Sequence, residues 1–458
     1  MARLVASETA EAVVSGALQT PDGYGYSKGL KPPRSTVMSV SAKFTRAPPT
    51  SRVWPLPAHC EEQPMLSDSI VIAGYARTPL GGFQGSLASL AATELGAAAV
   101  RAAVERSLVP SAAIERIYMG CVLATALGQA PARQAALYGG LPESVQATTV
   151  NKMCGSGMQA AIMATEALQA GAVDVAVAGG MESMSNAPYA LQKHRAGTRI
   201  GHDHVIDTLM MDGLDDAYQP GKPMGAFAQD SADAYQFTRK MQDEYALRSL
   251  ERAQAAIASG AFANEITPVT VKSLGGDVLV DTDDQPGKAR PEKISSLKPV
   301  FAVDGSITAA SSASISDGAA ALVMTRRSVA ERLGLPVLAQ VLGSAAHAQA
   351  PALFAVAPVT AVNNLLAKIG WTVADVDLFE INEAFAAVAM IAAHDLQIPV
   401  ERLNVNGGAT ALGHPIGASG ARIIATLLST LRSRGLRRGV ASLCIGGGEA
   451  TAMAFEVV

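Results

Sequence analysis

One local pattern occurs twice in this chain, and it narrows the fold more than any other feature. A short β-branched stretch ending in Val150-Asn151 leads through Lys152-Met153-Cys154-Gly155-Ser156-Gly157 into an apolar helical run over residues 159–168. Val405-Asn406 likewise precedes a glycine-rich segment around His414 and a helical run over residues 418–431. Downstream, Val177-Ala178-Gly179-Gly180 in the first copy is echoed by Cys444-Ile445-Gly446-Gly447 in the second. Apolar runs of strand length that alternate with helical periodicity point to an α/β sheet covered on both faces. The chain therefore reads as two diverged copies of one βαβ-rich unit. A pseudo-two-fold relation between them would bring their helix N-termini together.

The copies are not adjacent. Residues 65–181 form the N-terminal α/β half, with strand-like runs at 70–74, 114–122, 146–150 and 173–178 and a helix over 87–107. Residues 317–458 form the C-terminal half, with strands at 338–342, 376–381, 440–444 and 450–455 and helices over 359–369, 384–396 and 418–431. Between them, residues 182–316 break the rhythm. They are richer in charge and carry one amphipathic helix over 238–259, as an inserted loop domain would. Residues 1–64 lack periodicity and contain the clusters Lys31-Pro32-Pro33-Arg34 and Arg46-Ala47-Pro48-Pro49. They read as a disordered extension, or as the product of an upstream start codon with Met65 the true first residue.

Composition removes several classes of function. A net charge of −4 argues against nucleic acid or an anionic membrane surface as partner. No run of 18 apolar residues is present to span a membrane. The four cysteines, Cys60, Cys121, Cys154 and Cys444, have no CxxC spacing, which suits a reducing, cytoplasmic setting and gives neither a disulfide framework nor a zinc site.

Chemistry concentrates at the turns. Cys154 lies at a strand-to-helix elbow, where free N–H groups and the positive end of the helix favour a thiolate and small neighbours admit a substrate. A buried structural cysteine is the competing reading. His414, in Gly413-His414-Pro415-Ile416-Gly417, is biased by the following proline to an extended backbone that suits presentation from a turn. Cys444 ends a strand before Ile445-Gly446-Gly447-Gly448, whose N–H groups form either an anion-binding concavity or an ordinary turn. Asn382, in Asn382-Glu383-Ala384-Phe385, is a helix cap or an amide that polarises a carbonyl.

At these motifs the chain resembles the thiolase family. The matching pieces are residues 151–157 (NKMCGSG), 179–185 (GGMESMS), 382–386 (NEAFA), 404–420 (NVNGGATALGHPIGASG) and 444–448 (CIGGG), within a resemblance over residues 69–458. The resemblance implies the thiolase-like α/β fold of two halves and an insertion, and a catalytic set. Cys154 is the implied acyl acceptor, His414 the base that activates it, and Cys444 the group that moves the α-proton. Asn382 (through a water) with His414, and the N–H groups of Cys154 and Gly446, are the implied oxyanion holes. Met224, Phe301, Ala313 and Phe385 are implied around the acyl and pantetheine positions, with the basic residues Lys288 and Arg290 toward the phosphates. Lys288, Arg290 and Lys293 read more readily as a solvated surface run than as a phosphate contact.

Two positions depart from the family pattern. Pro223 stands where many members have the histidine of a His-Met-Gly motif, and Ser311-Ser312-Ala313-Ser314 replaces Asn-Ala-Ser-Gly. The implied activity is condensation of two acetyl-CoA to acetoacetyl-CoA and CoA, or the reverse. A degradative 3-ketoacyl-CoA thiolase for longer chains and a silent lipid- or CoA-binding relative are the alternatives. Acyl-CoA and CoA are the implied substrates, with no permanently bound cofactor, in a homodimer or homotetramer.

Overall fold

The short apolar runs do become strands, in a computed structural model that describes residues 68–273 and 275–458. The extension expected over residues 1–64 lies outside the described residues. Nine strands carry the main sheet: β1 (Ile70–Arg77), β2 (Arg116–Gly120), β3 (Gln146–Val150), β4 (Val175–Ser183), β5 (Ser316–Arg326), β6 (Ala339–Ala348), β7 (Leu378–Ile381), β8 (Arg438–Ile445) and β9 (Glu449–Val457). Their order is β7-β8-β9-β6-β1-β5-β4-β2-β3, and a short tenth strand, Gly81–Gly82, pairs with β5. Within it, β2-β4-β5-β1 and β7-β8-β9-β6 repeat one design, a parallel pair followed by two antiparallel neighbours. In the first half β3 adds a parallel strand outside β2, and in the second a single parallel bridge from Leu403 to Phe379 marks the same place. The halves join where β1 meets β6 through only Val71 and Ile72.

Helices fill both faces. Of these, α1 (Ala92–Ser107), α2 (Pro131–Tyr138), α3 (Ser156–Gln169), α4 (Met224–Ala234), α5 (Arg239–Ala258), α6 (Ala357–Ile369), α7 (Ala386–Leu396) and α8 (Ser419–Ser433) are the longest. Met158, Ile162 and Leu168 of α3 share one core with Ile423, Leu427, Leu428 and Leu431 of α8, lying against Ile72 of β1, Leu443 of β8 and Phe455 of β9. These two helices form the common middle layer. Leu95 and Val100 of α1 cover the outer face of the first half, and Leu365 of α6 with Ala389 of α7 cover that of the second.

Two expectations are corrected. The sequence starts the C-terminal half at residue 317, but β5, which begins there, lies between β1 and β4 of the first half. Hydrophobic alternation gives a strand's existence, not its neighbours. The sequence also ends the 173–178 strand at Gly179-Gly180, whereas β4 continues through both glycines to Ser183, paired with Ala321 and Ala320. Those glycines are there for close approach to other backbone, as the site shows.

Between β4 and β5 the inserted region contributes α4, α5 and two small hairpins. It is tied to the sheet by buried charge. Arg77 of β1 donates to Glu265 at 2.5 Å and to both oxygens of Asp283 at 2.7 and 2.9 Å. Glu383 accepts from Tyr245 and Ser249 of α5, from Asn404, and from Thr410. Among the described residues no helix is long and apolar enough to cross a membrane.

Candidate active site

Cys154 sits in a tight turn two residues ahead of α3. Met153 before it has φ +48, a left-handed conformation that a methionine adopts only when its surroundings impose it. Asn151 accepts from the Met153 N–H through its side chain (3.1 Å), and Ser156 Oγ accepts from Lys152 N (2.8 Å) while donating to the Met153 carbonyl (2.6 Å). The Asn-x-x-Cys-x-Ser spacing is thus a hydrogen-bonded elbow. It aims the half-buried Cys154 side chain inward.

Glycines dock the second copy onto the first. A Cβ on Gly180 would lie 2.0 Å from the Gly417 carbonyl oxygen, and one on Gly120 2.5 Å from the same atom. Where α3 and α8 cross, a Cβ on Gly420 would meet Met158 N at 2.2 Å. Gly417 N in turn donates to buried Glu182 Oε2 (2.8 Å), which also accepts from Val122 N, while Oε1 accepts from Leu123 N. Glu182 therefore fastens the His414 turn to the ends of β2 and β4. Gly413, with φ +110 and Ser316 Oγ 2.2 Å from where its Cβ would be, admits no side chain.

His414 is held by its Nδ1. Ser419 Oγ lies 2.5 Å away and itself donates to the Pro415 carbonyl at 2.9 Å. With the serine proton committed to that carbonyl, Nδ1–H is the donor to Ser419 and Nε2 keeps its lone pair. Buried Nε2 has no hydrogen-bond partner among the described residues. The Asn382 amide lies 3.4 Å from Nδ1. Asn382 is not a helix cap, since Phe385 caps α7 and the Asn382 N–H donates to Ser442 O.

Cys154, His414 and Gly446 line one cavity of about 80 Å³, with Met184, Gly213, Leu214, Met224, Ala313, Ser314, Ile315, Phe354, Ala384, Phe385 and Ile416. The Gly446 N–H favours the Cys154 thiolate. Gly447 and Gly448, at φ +95 and +87, make the turn between β8 and β9 that delivers it. Cys444, at the end of β8, is buried close enough for the Cys154 charge to act on it. Of the expected pocket residues, Met224, Ala313 and Phe385 are on the wall. Phe301 stands behind them, edge-on to Phe385 at 5.8 Å and over Gly225. Pro223, the departure from the family pattern, is the N-cap of α4, and Met224 follows it into the cavity.

A groove of about 280 Å³ shares Ser314 with this cavity and is lined by Arg290, Lys293, Ser312 and Thr410 among others. Lys288 is not part of it; its ammonium pairs with Asp284 at 3.0 Å.

The electrostatics reverse one expectation. A helix N-terminus was reason to expect a low-pKa thiol, but burial pushes Cys154 up to about 11, against the Gly446 and Cys154 N–H groups that favour the thiolate. Burial, and then the Cys154 charge, likewise hold Cys444 far above its ordinary value. Burial, with the Arg422 charge adding to it, lowers His414 to about 3. The resting pair is therefore a neutral thiol and a neutral imidazole. Among the described residues no cluster of three or more His, Cys, Asp or Glu is arranged to hold a metal.

Glu182, Ser419 and Arg422 were not singled out by sequence reasoning, although all three fall in or beside the quoted motifs. Polar side chains at three- and four-residue spacing within a helix rich in Ile, Leu and Ala are the available signal for Ser419 and Arg422.

Two like α/β halves thus meet with a thiol and an imidazole on one cavity at their junction. The chain belongs to the thiolase family: residues 70–328 match the thiolase N-terminal domain and residues 335–457 the thiolase C-terminal domain. It is 46% identical over 388 residues to a probable acetyl-CoA acetyltransferase of Escherichia coli (strain K12), covering 84% of this chain and 98% of that one. It is 48% identical over 404 residues to acetyl-CoA acetyltransferase 2 of Arabidopsis thaliana, covering 88% and 100%. The crystal structure of the Bacillus anthracis acetyl-CoA acetyltransferase superposes with a TM-score of 0.83 at 38% identity, covering 86% of this chain and 99% of that one.

Proposed function

We propose that the protein is an acetyl-CoA C-acetyltransferase that condenses two acetyl-CoA to acetoacetyl-CoA and CoA, or runs the reverse thiolysis, through an acyl-cysteine. The observation that carries this reading is the convergence of Cys154, His414 and the Gly446 N–H on one small apolar cavity. In the forward direction the Cys154 sulfur attacks the thioester carbonyl as its proton passes to His414 Nε2. The carbonyl oxygen, now an anion, is met by the Cys154 and Gly446 N–H groups. As the C–S bond to CoA breaks, His414 returns the proton to the departing sulfur. The Cys444 thiol then hands its proton to His414 Nε2 and, as thiolate, takes an α-proton from a second acetyl-CoA, whose enolate oxygen is held by His414 Nε2–H and, through a water, by Asn382. The resulting carbon nucleophile attacks the acyl-cysteine, and Cys154 leaves as thiolate and takes the proton from His414, which restores both thiols and the neutral imidazole.

Neutral resting groups fit this sequence. A thiol at about 11 beside an imidazole at about 3 stays uncharged until an electrophile and the oxyanion donors are in place. The groove with Arg290 and Lys293 is our candidate path for the CoA arm, with Ser314 where groove meets cavity. A cavity of about 80 Å³ walled by Met184, Leu214 and Ile416 favours acetyl and acetoacetyl groups over longer chains. CoA thioesters as the only small molecules, a cytoplasmic location and a homodimeric or homotetrameric assembly belong to the same reading.

The test is cleavage by purified protein, with free CoA, of acetoacetyl-CoA and of a medium-chain 3-ketoacyl-CoA, followed by loss of ketothioester absorbance. Rapid cleavage of acetoacetyl-CoA alone supports the proposal. Faster cleavage of the longer substrate assigns a degradative thiolase instead, and cleavage of neither assigns a non-catalytic role.

A further inference from the structure

Helix α8 lies in the middle layer with almost no exposed surface, yet one of its faces is polar. Ser419, Arg422, Thr426 and Thr430 follow one another at three- and four-residue spacing, and all four are buried. Each but Arg422 has a clear partner. Ser419 holds His414 Nδ1, Thr426 donates to Glu265 at 3.0 Å, and Thr430 accepts from Asn406. Arg422 is 1% exposed, and its Nε and Nη1 have no hydrogen-bond partner among the described residues. Its Nη2 donates, at 3.4 Å, to Asn382 Oδ1. The same Asn382 side chain turns its nitrogen toward the His414 ring.

A buried guanidinium left partly unpartnered is costly unless its charge is used. Here that charge sits behind the carbonyl oxygen of an amide whose nitrogen lies beside the His414 ring, 3.4 Å from Nδ1. An amide polarised from its oxygen is a stronger donor from its nitrogen, because successive hydrogen bonds reinforce one another in a low-dielectric interior. We propose that Arg422 is a positioning residue: it fixes the orientation of the Asn382 amide and strengthens it as a donor to negative charge developing beside His414. This rests on the catalytic reading above and extends it to a residue with no contact to the substrate.

The charges around the pair are few. His414 is faced by Arg422 from α8 and by Cys154 from the elbow, with Cys444 beyond it. Arg422 is faced by Glu380 of β7, Glu383 just after it, Glu265 of the inserted region and Arg77 of β1. Of these, Arg422 alone acts on His414, and it disfavours the imidazolium. Loss of the Arg422 charge therefore raises the pH at which His414 takes up a proton. A residue whose charge does not reach His414 would produce no such shift.

The experiment uses the full chain labelled with ¹³C at histidine Cε1, with His414→Asn to assign the resonance among the seven histidines. Arg422→Gln is expected to lower kcat for thiolysis of acetoacetyl-CoA by about 10- to 100-fold, less than outright loss of an oxyanion donor. KM should change by less than about threefold, and the His414 titration midpoint should rise by about one pH unit. Arg422→Lys keeps the charge but not the planar reach, so it should hold the wild-type midpoint while losing kcat. The Lys variant also keeps the test open should Arg422→Gln not fold. Wild-type kcat in Arg422→Lys, or an unmoved His414 midpoint in folded Arg422→Gln, overturns the proposal. Failure of the wild-type protein to cleave acetoacetyl-CoA is a separate result: it sinks the functional reading, while the histidine titration still reports on Arg422.

Discussion

Replacing Gly180 by alanine tests how the site is assembled. The new Cβ would lie 2.0 Å from the Gly417 carbonyl oxygen and 2.9 Å from Ala418 Cα, both backbone atoms that cannot swing away. Reaching even the 3.0 Å below which real Cβ contacts essentially do not occur requires the His414 turn to move by about 1 Å. Overpacking of this kind costs roughly 1–3 kcal/mol of stability, and a displacement of about 1 Å at a reacting group costs on the order of 10² in rate. Gly180→Ala should therefore lower kcat for thiolysis about a hundredfold while urea unfolding shows a loss of only about 1–3 kcal/mol. Gly287→Ala is the control, because no atom lies within 4 Å of that position and its backbone is not left-handed. A Gly180→Ala protein with wild-type kcat and stability would refute the claim that this glycine is the seat of the His414 turn.

Three further outcomes follow from the same geometry. Cys444→Ala should still form the acyl-cysteine, seen as a mass increment on the Cys154 peptide, but should lose exchange of the acetyl-CoA methyl protons with D₂O; retained exchange would remove Cys444 from its proposed role. His414 is held to about 3 when folded against about 6.5 when unfolded, so the unfolded chain binds a proton that the folded chain refuses as pH falls below 6.5. Wild-type stability should thus fall by about 2 kcal/mol more than that of His414→Asn between pH 7 and pH 5, read from urea midpoints at the two pH values. Arg77→Met strands the buried Glu265 and Asp283 carboxylates without their cation and should cost about 3–5 kcal/mol. An unchanged urea midpoint would show that the ion triad holds nothing together.

Much of this was readable before any coordinates. Glycine spacing and proline placement around Cys154 and His414 mark turns that present side chains, because φ and crowding at such positions are local properties. The duplicated motif pair likewise foretells two docked helix N-termini. Sheet partners were less legible. The strand after Ser316 gives the same periodic signal whether it opens the second half or, as found, closes the first. Gly179 and Gly180 look like a strand end, since only the folded chain reveals the carbonyl that approaches them. The protonation state of Cys154 is hidden for a similar reason: a helix terminus is visible in sequence, whereas the enclosure that outweighs it is made by residues from five or more distant segments. Lys288 was grouped with Arg290 by proximity along the chain, yet a carboxylate one helical turn away, Asp284, takes it out of the groove.

The seat of the His414 turn also sets an order of events during synthesis. Gly120, Gly157 and Gly180 belong to the first part of the chain made, and the turn they receive lies within the last 50 residues or so. On the proposed mechanism the Cys154 thiol therefore waits for its base until nearly the whole protein has been made, and a chain that ends before residue 414 would lack acyl transfer. Completion of the polypeptide and activation of the thiol would then be the same step.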